Sequence, residues 1–228
     1  MSTSYIIVAG GGALGREVTA ALLSRRHDVV VIDRDKHTCD TIYAELGAVT
    51  VHGSATDLHV LADAGGERAT LLITAMPSDA DNIACALLGR SLGIERIIGR
   101  LRDTSYAPAY EVAGVTHLIR ATHMLRNQVV LHVEHPKVEE IVNIGESAAQ
   151  IFSVRVPQDG WCAGRSVSEI AAERKFPRDC LLIGLRRVGS SALEIPRGDS
   201  CVQTGDAVMM IAPDHSIEQA VALLTRAG

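Results

Sequence analysis

Through the first 120 residues, short runs of β-branched and other apolar residues alternate with longer stretches in which apolar positions recur at helical spacing. That alternation predicts a parallel sheet with covering helices. The runs Tyr5–Ala9, Val29–Ile32, Val49–His52, Leu71–Thr74, Arg96–Leu101 and Thr116–Ile119 read as strands. Several are almost continuously apolar, as expected of strands buried on both faces. Between them, Gly15–Arg26, Lys36–Leu46, Leu58–Ala64, Asp79–Leu92 and Tyr106–Ala113 read as amphipathic helices, so the order is βα repeated.

A further helix is predicted over Ala121–His135, ending before Pro136, because proline disfavours helix in the residue that precedes it. Beyond it the pattern changes. Glu139–Ile144, Ala149–Val156, Cys180–Arg187, Leu193–Ile195 and Ala207–Ile211 read as strands, with helices over Val167–Glu173 and Ser216–Arg226. The expectation is an α/β fold: a Rossmann-type parallel sheet with helices on both faces in residues 1–135, then a small α+β domain in 136–228, joined through the Ala121–His135 helix.

A chain of 228 residues has room for two such cores. With 47% hydrophobic and 21% charged residues it is neither disordered nor fibrous. A formal charge of -5 argues against a nucleic-acid partner, which usually meets an excess of Lys and Arg. No run approaches the roughly 18 apolar residues of a membrane helix and the N-terminus lacks a signal-peptide pattern, so a cytoplasmic protein is expected. Cys39, Cys85, Cys162, Cys180 and Cys201 are widely spaced, odd in number and contain no CxxC pair, which suggests packed, reduced thiols.

The candidate chemistry lies after the first strand. Gly10-Gly-Gly-Ala-Leu-Gly15 has the spacing G-x-G-x-x-G between a strand and a helix. Gly10 would make the tight turn, Gly12 would let the backbone approach a diphosphate, and Gly15 would let helix and strand pack closely. Gly11, Ala13 and Leu14 complete the loop, and the N–H groups of the helix start would face the anion. Asp33, at the end of the second strand and about 20 residues onward, is placed to accept hydrogen bonds from the ribose hydroxyls. A carboxylate there disfavours a 2'-phosphate, although Arg34 beside it keeps that question open. Asp35, ahead of Lys36, is the better candidate for a helix cap.

With these residues in hand, the chain resembles the cytosolic regulatory subunits of Trk/Ktr potassium-uptake systems, which pair an RCK (KTN) N-terminal domain with an RCK C-terminal domain. The resemblance runs over nearly the whole chain. His52-Gly-Ser-Ala-Thr-Asp57 is similar to the family's G-D-A-T-D segment, and Ile73-Thr-Ala-Met-Pro-Ser-Asp-Ala-Asp-Asn82 to the loop on the adenine side. Ile98-Gly-Arg-Leu-Arg-Asp-Thr-Ser-Tyr106 resembles A-R-x-R-(D/N)-x-x-Y, and Ala113-Gly-Val-Thr-His-Leu-Ile119 resembles G-A-D-x-V-I. In the second half, Gly164-Arg-Ser-Val-Ser-Glu-Ile170, Leu182 to Gly189, Glu194 to Asp199 and Thr204 to Ala212 are similar to the family's later runs.

The resemblance implies a nucleotide site that adds Ser54, Ala55 and Thr56 beside the adenosine, Ala75 and Met76 on the adenine side, and Arg100 as a cationic contact to phosphate. It implies a homo-oligomer, as a dimer, tetramer or octameric ring, on the cytosolic face of a membrane potassium-translocating subunit of TrkH/KtrB type. The ligand it implies is NAD(H) or ADP/ATP. Ala13 stands where ATP-responsive members often carry arginine, Ser54 replaces a common aspartate, and Arg120-Ala-Thr122 replaces an acidic metal-linked residue. These departures favour NAD(H) or ADP over ATP with a divalent cation.

A dehydrogenase would use the same loop and Asp33. It also needs an acid or base beside the nicotinamide, and a second domain of about 90 residues, small for a catalytic half, offers His215 and Lys175 for that part. Regulation rather than turnover is therefore expected. His132 and His135 have a spacing that can serve a metal, but connecting-helix surface is the stronger reading. Arg186-Arg187 could meet a cyclic dinucleotide, as in some relatives, or be ordinary strand-edge charges. Val129, Val130, Leu131 and Val133 are too many for one buried stripe, so that helix packs either on another subunit or on the second domain.

Overall fold

The computed structural model describes residues 4–144 and 149–228, without the side chains of residues 127, 131, 141 and 143. The chain forms two compact units, Met1–Met124 and Leu125–Gly228. In the first, β1 (Tyr5–Ala9), β2 (Asp28–Asp33), β3 (Val49–His52), β4 (Leu71–Thr74), β5 (Ile97–Leu101) and β6 (His117–Arg120) form one sheet in the order β3-β2-β1-β4-β5-β6. Every neighbouring pair is parallel. This is the doubly wound nucleotide-binding order, whose direction reverses between β1 and β4 and leaves a crevice at their C-terminal ends.

Both faces of the sheet are covered. Helices α1 (Ala13–Ser24) and α2 (Lys36–Leu46) bury Ile6, Val8, Val29, Val31 and Ile42 on one side. Helices α3 (Leu58–Asp63) and α4 (Asp79–Ser91) close the other over Ile7, Ala9, Val30, Ile32, Leu72 and Ile97. Each strand of the central pair therefore gives alternate residues to opposite cores, which is why its sequence is apolar without a break. Cys85, wholly buried on the second face, has its thiol pushed up to about 12 by burial.

The caps follow from local chemistry. Asp35 accepts from the His37 N–H at the start of α2, Asp57 from that of His59 at α3, and Ser78 from that of Asp81 at α4. Gly47 ends α2 at φ 67°, a conformation that costs glycine little.

Helix boundaries differ from expectation by one or two residues. Helix α1 begins at Ala13 rather than Gly15 and ends at Ser24, because the chain turns helical immediately after Gly12 and the last motif glycine lies inside the first turn. The predicted Tyr106–Ala113 helix opens instead with a 3-10 turn over Thr104–Tyr106, and α5 (Ala107–Val112) follows with proline in its first turn. Helix α6 (Ala121–Glu134) stops one residue before His135.

In the second unit, β7 (Val138–Asn143), β8 (Ala149–Arg155), β9 (Leu181–Arg186), β10 (Leu193–Glu194) and β11 (Ala207–Pro213) form an antiparallel sheet in the order β10-β9-β11-β8-β7. One face carries the core, in which Phe152, Val154, Leu185, Val208 and Met210 meet Ile170 of α7 (Val167–Ala172) and Ile217, Ala220 and Leu224 of α8 (Asp214–Leu224). Helix α8 starts two residues earlier than the pattern predicts, with Pro213 both ending β11 and standing as the N-cap of the helix.

Candidate functional site

The glycine loop leaves β1 at the point where the sheet reverses. Gly10 has φ 105°, and a Cβ there would lie 3.1 Å from the Ala75 carbonyl carbon and the Met76 nitrogen, so both the turn and the closeness to β4 require glycine. A Cβ on Gly15 would lie 1.8 Å from the Gly10 oxygen, so the first turn of α1 sits directly on the loop. Gly12 is different. A Cβ there would meet nothing within 4 Å.

Gly12 is also the N-cap of α1, with no side chain to satisfy the first N–H groups and no acidic residue in the first turn. A helix start of this kind, with an open approach, favours an anion through its N–H groups and its dipole. A groove of about 430 Å³ runs from Gly11, Gly12 and Ala13 between α1 and α2, past Arg16, Glu17, His37, Thr38, Thr41 and Ile42. Arg16 pairs there with Glu45 of α2.

Asp33 faces this loop from the end of β2. Its Oδ2 accepts from the Gly11 N–H at 2.6 Å and its Oδ1 from the Asp35 N–H at 2.8 Å. Each carboxylate oxygen keeps a second lone pair, so the group is oriented by backbone and still able to accept from a ribose hydroxyl. Arg34 is exposed, with a guanidinium nitrogen 3.8 Å from the Asp81 carboxylate, and its carbonyl accepts from His52 Nε2 at 3.1 Å.

The remaining predicted residues lie along the same edge of the sheet. Gly53 donates to the Asp33 carbonyl, which draws the end of β3 to β2. Ser54 and Thr56 share a hydroxyl hydrogen bond of 2.8 Å, while Ala55 is buried. Ala75 and Met76, both buried, back onto Gly10. Leu14 and Ala13 are exposed at the start of α1. Arg100 stands next to the end of β5, and its Nε is buried without a hydrogen-bond partner among the described residues.

One group of residues received no role of its own in the sequence reading. Asn82 of α4 accepts from the Met76 N–H at 3.0 Å and donates to the Met76 and Arg100 carbonyls at 3.1 and 3.3 Å. Asp79, nearly buried, accepts from the N–H groups of Arg102 and Asp103 and from Tyr110 Oη. Burial, with the Asp79 carboxylate adding to it, raises the Tyr110 hydroxyl above its ordinary range. The Tyr110–Asp79 partnership spans 31 residues and leaves no local signal in the sequence.

The other candidates have structural partners. Arg186 pairs with Glu140, and Arg187 with Glu194 and the buried Asp206. His132 bonds to the Gln128 carbonyl within α6, and His135 lies outside that helix. No cluster of three or more potential metal ligands occurs among the described residues. His215 contacts Asp179 at 3.0 Å.

Residues 6–121 match the TrkA-N domain and residues 151–225 the TrkA-C domain. The chain belongs to the TrkA-N family. A relative from Methanothermobacter thermautotrophicus, a Trk system potassium uptake protein TrkA homolog, is 24% identical over 97% of this chain and 99% of its own length. A homolog of the same description from Archaeoglobus fulgidus is 25% identical over 93% of this chain and 48% of its own. The chain thus spans about half the length of several curated TrkA relatives.

Among solved structures, the GsuK channel bound to NAD superposes with a TM-score of 0.68 at 23% identity, over all of this chain and 40% of that one. GsuK bound to ADP superposes with a TM-score of 0.52 at 26% identity, over 57% and 35%. The RCK fold expected for the TrkA-type chain is the fold observed. Among the described residues no helix is long and apolar enough to cross a membrane.

Proposed function

We propose that the chain is a nucleotide-sensing regulatory subunit that gates a membrane potassium-translocating protein. The observation that carries this reading is the open first turn of α1 at Gly12, facing the oriented Asp33 carboxylate at the reversal point of the sheet, in a chain of the TrkA-N family. The diphosphate lies over Gly10–Gly15, the ribose on Asp33, the adenosine along Ser54–Thr56 and Ala75–Met76, and Arg100 reaches a phosphate oxygen. NAD(H) or ADP is the preferred ligand, a choice supported by the ADP complex of the 26%-identical GsuK structure.

Residues 1–135 form the nucleotide domain and 136–228 the C-terminal domain of this subunit, which assembles as a homo-oligomer on the cytosolic face of the cell membrane. The exposed Val129, Val130 and Val133 of α6 belong to that assembly; the side chain of Leu131 lies outside the described residues. The nucleotide acts on the pore only through its difference in affinity between two states of the assembly, so ligands with different phosphate ends act as opposing effectors. The test is rubidium uptake by cells co-expressing the chain with a potassium-translocating membrane subunit. Uptake should depend on the chain and change with Gly12→Asp, which places a carboxylate in the anion site; uptake indifferent to both overturns the reading.

A further inference from the structure

We infer that Tyr110 and Asn82 are positioning residues of the nucleotide site, holding Arg100 in the place from which it meets phosphate. The inference rests on the phosphate role proposed for Arg100. It starts from the way the sheet ends. On the β4 side, the ladder of β5 stops at the pair Thr74 with Gly99, one residue short of Arg100. The Arg100 carbonyl is held instead by side chains: Tyr110 Oη at 2.7 Å and Asn82 Nδ2 at 3.3 Å.

Both holders are fully buried, and neither is free to serve another ligand. The Tyr110 ring covers Gly99, where a Cβ would come 3.0 Å from Cε1, so a larger residue beneath Arg100 would displace it. The single hydroxyl proton lies between the Arg100 carbonyl and Asp79 Oδ1 at 2.9 Å, so the two acceptors share it, and the Asp79 carboxylate also accepts from the N–H groups of the next residues along, Arg102 and Asp103. Asn82 joins this segment to Met76, so the adenine-side loop and the arginine are set by a single amide. Meanwhile Arg100 keeps a buried Nε–H that no described residue accepts. A donor held by its backbone and left without an acceptor is suited to an anionic oxygen arriving from outside.

The experiment is calorimetric titration of the full chain with ADP and with adenosine, which differ in the phosphates alone. Arg100→Ala should weaken ADP and spare adenosine. Tyr110→Phe keeps the ring over Gly99 and should weaken ADP about tenfold, equal to about 1.4 kcal/mol, with adenosine unchanged. In the Arg100→Ala background, Tyr110→Phe should have no further effect on ADP, because it acts through the arginine. Asn82→Ser also releases the Met76 loop, so it should weaken both ligands but ADP by the larger factor, and it serves if Tyr110→Phe does not fold. If Arg100→Ala spares ADP, the phosphate reading falls and this inference with it. If Arg100→Ala weakens ADP while Tyr110→Phe and Asn82→Ser weaken both ligands equally, or neither, the positioning role alone is overturned.

Discussion

Three glycines of one motif have three different physical reasons, and each gives its own expected outcome. Gly15→Ala forces a Cβ onto the Gly10 carbonyl and should cost about 1–3 kcal/mol of overpacking, seen as a Tm lower by roughly 2 to 12 °C. Gly12→Asp meets no atom and supplies a good N-cap, so it should keep the fold. Asp33→Ala should weaken ADP and NAD alike, about tenfold or more by calorimetry, since it removes the acceptor proposed for the ribose common to both. An affinity equal to that of the native chain would remove Asp33 from the site. These residues were legible in sequence because their spacing is local: a turn, an approach and a helix start fit within six residues, and Asp33 follows at the end of the next strand. Tyr110 was not legible, because its partners Asp79 and Arg100 meet it only after α4, β5 and α5 have packed together.

At the scale of elements, strand existence was legible wherever one run faces two cores, and β1, β3 and β4 have the expected bounds. Helix ends were less so. Helix α1 starts inside what reads as a loop because glycine N-caps carry no side-chain signature, and Arg26 beyond its end takes φ 64°, a conformation that sequence pattern gives no reason to expect of arginine. The start of α8 offers a test by pH. Ser216 donates to Asp179 at 2.7 Å and is the largest cause holding that carboxyl below its ordinary 3.8. A depressed carboxyl stabilises the fold above its unfolded value and loses that contribution as pH falls through the lower folded value. The Tm gap between the native chain and Ser216→Ala should therefore be full near pH 6 and shrink as pH falls below 3.8. A gap that stays constant to pH 3 would exclude the Asp179 partnership as its source.

As a whole molecule, the proposed sensor has one unit with the fold and loop of a nucleotide site and a second, small antiparallel unit that matches TrkA-C. If nucleotide binds only the folded chain, ligand at a hundred times its Kd should add about 2.7 kcal/mol to stability. Thermal-shift comparison of NAD, NADH, ADP, ATP and cyclic dinucleotides, each with and without a divalent cation, ranks the ligands by this effect; NAD(H) or ADP should exceed ATP. The central claim is that the bound nucleotide occupies the open N-terminus of α1. Calorimetric titration of ADP and NAD into the native chain and Gly12→Asp, at matched Tm, tests it most directly. The native chain should bind saturably and Gly12→Asp should not; equal binding by both, or no binding by the native chain, would contradict the account.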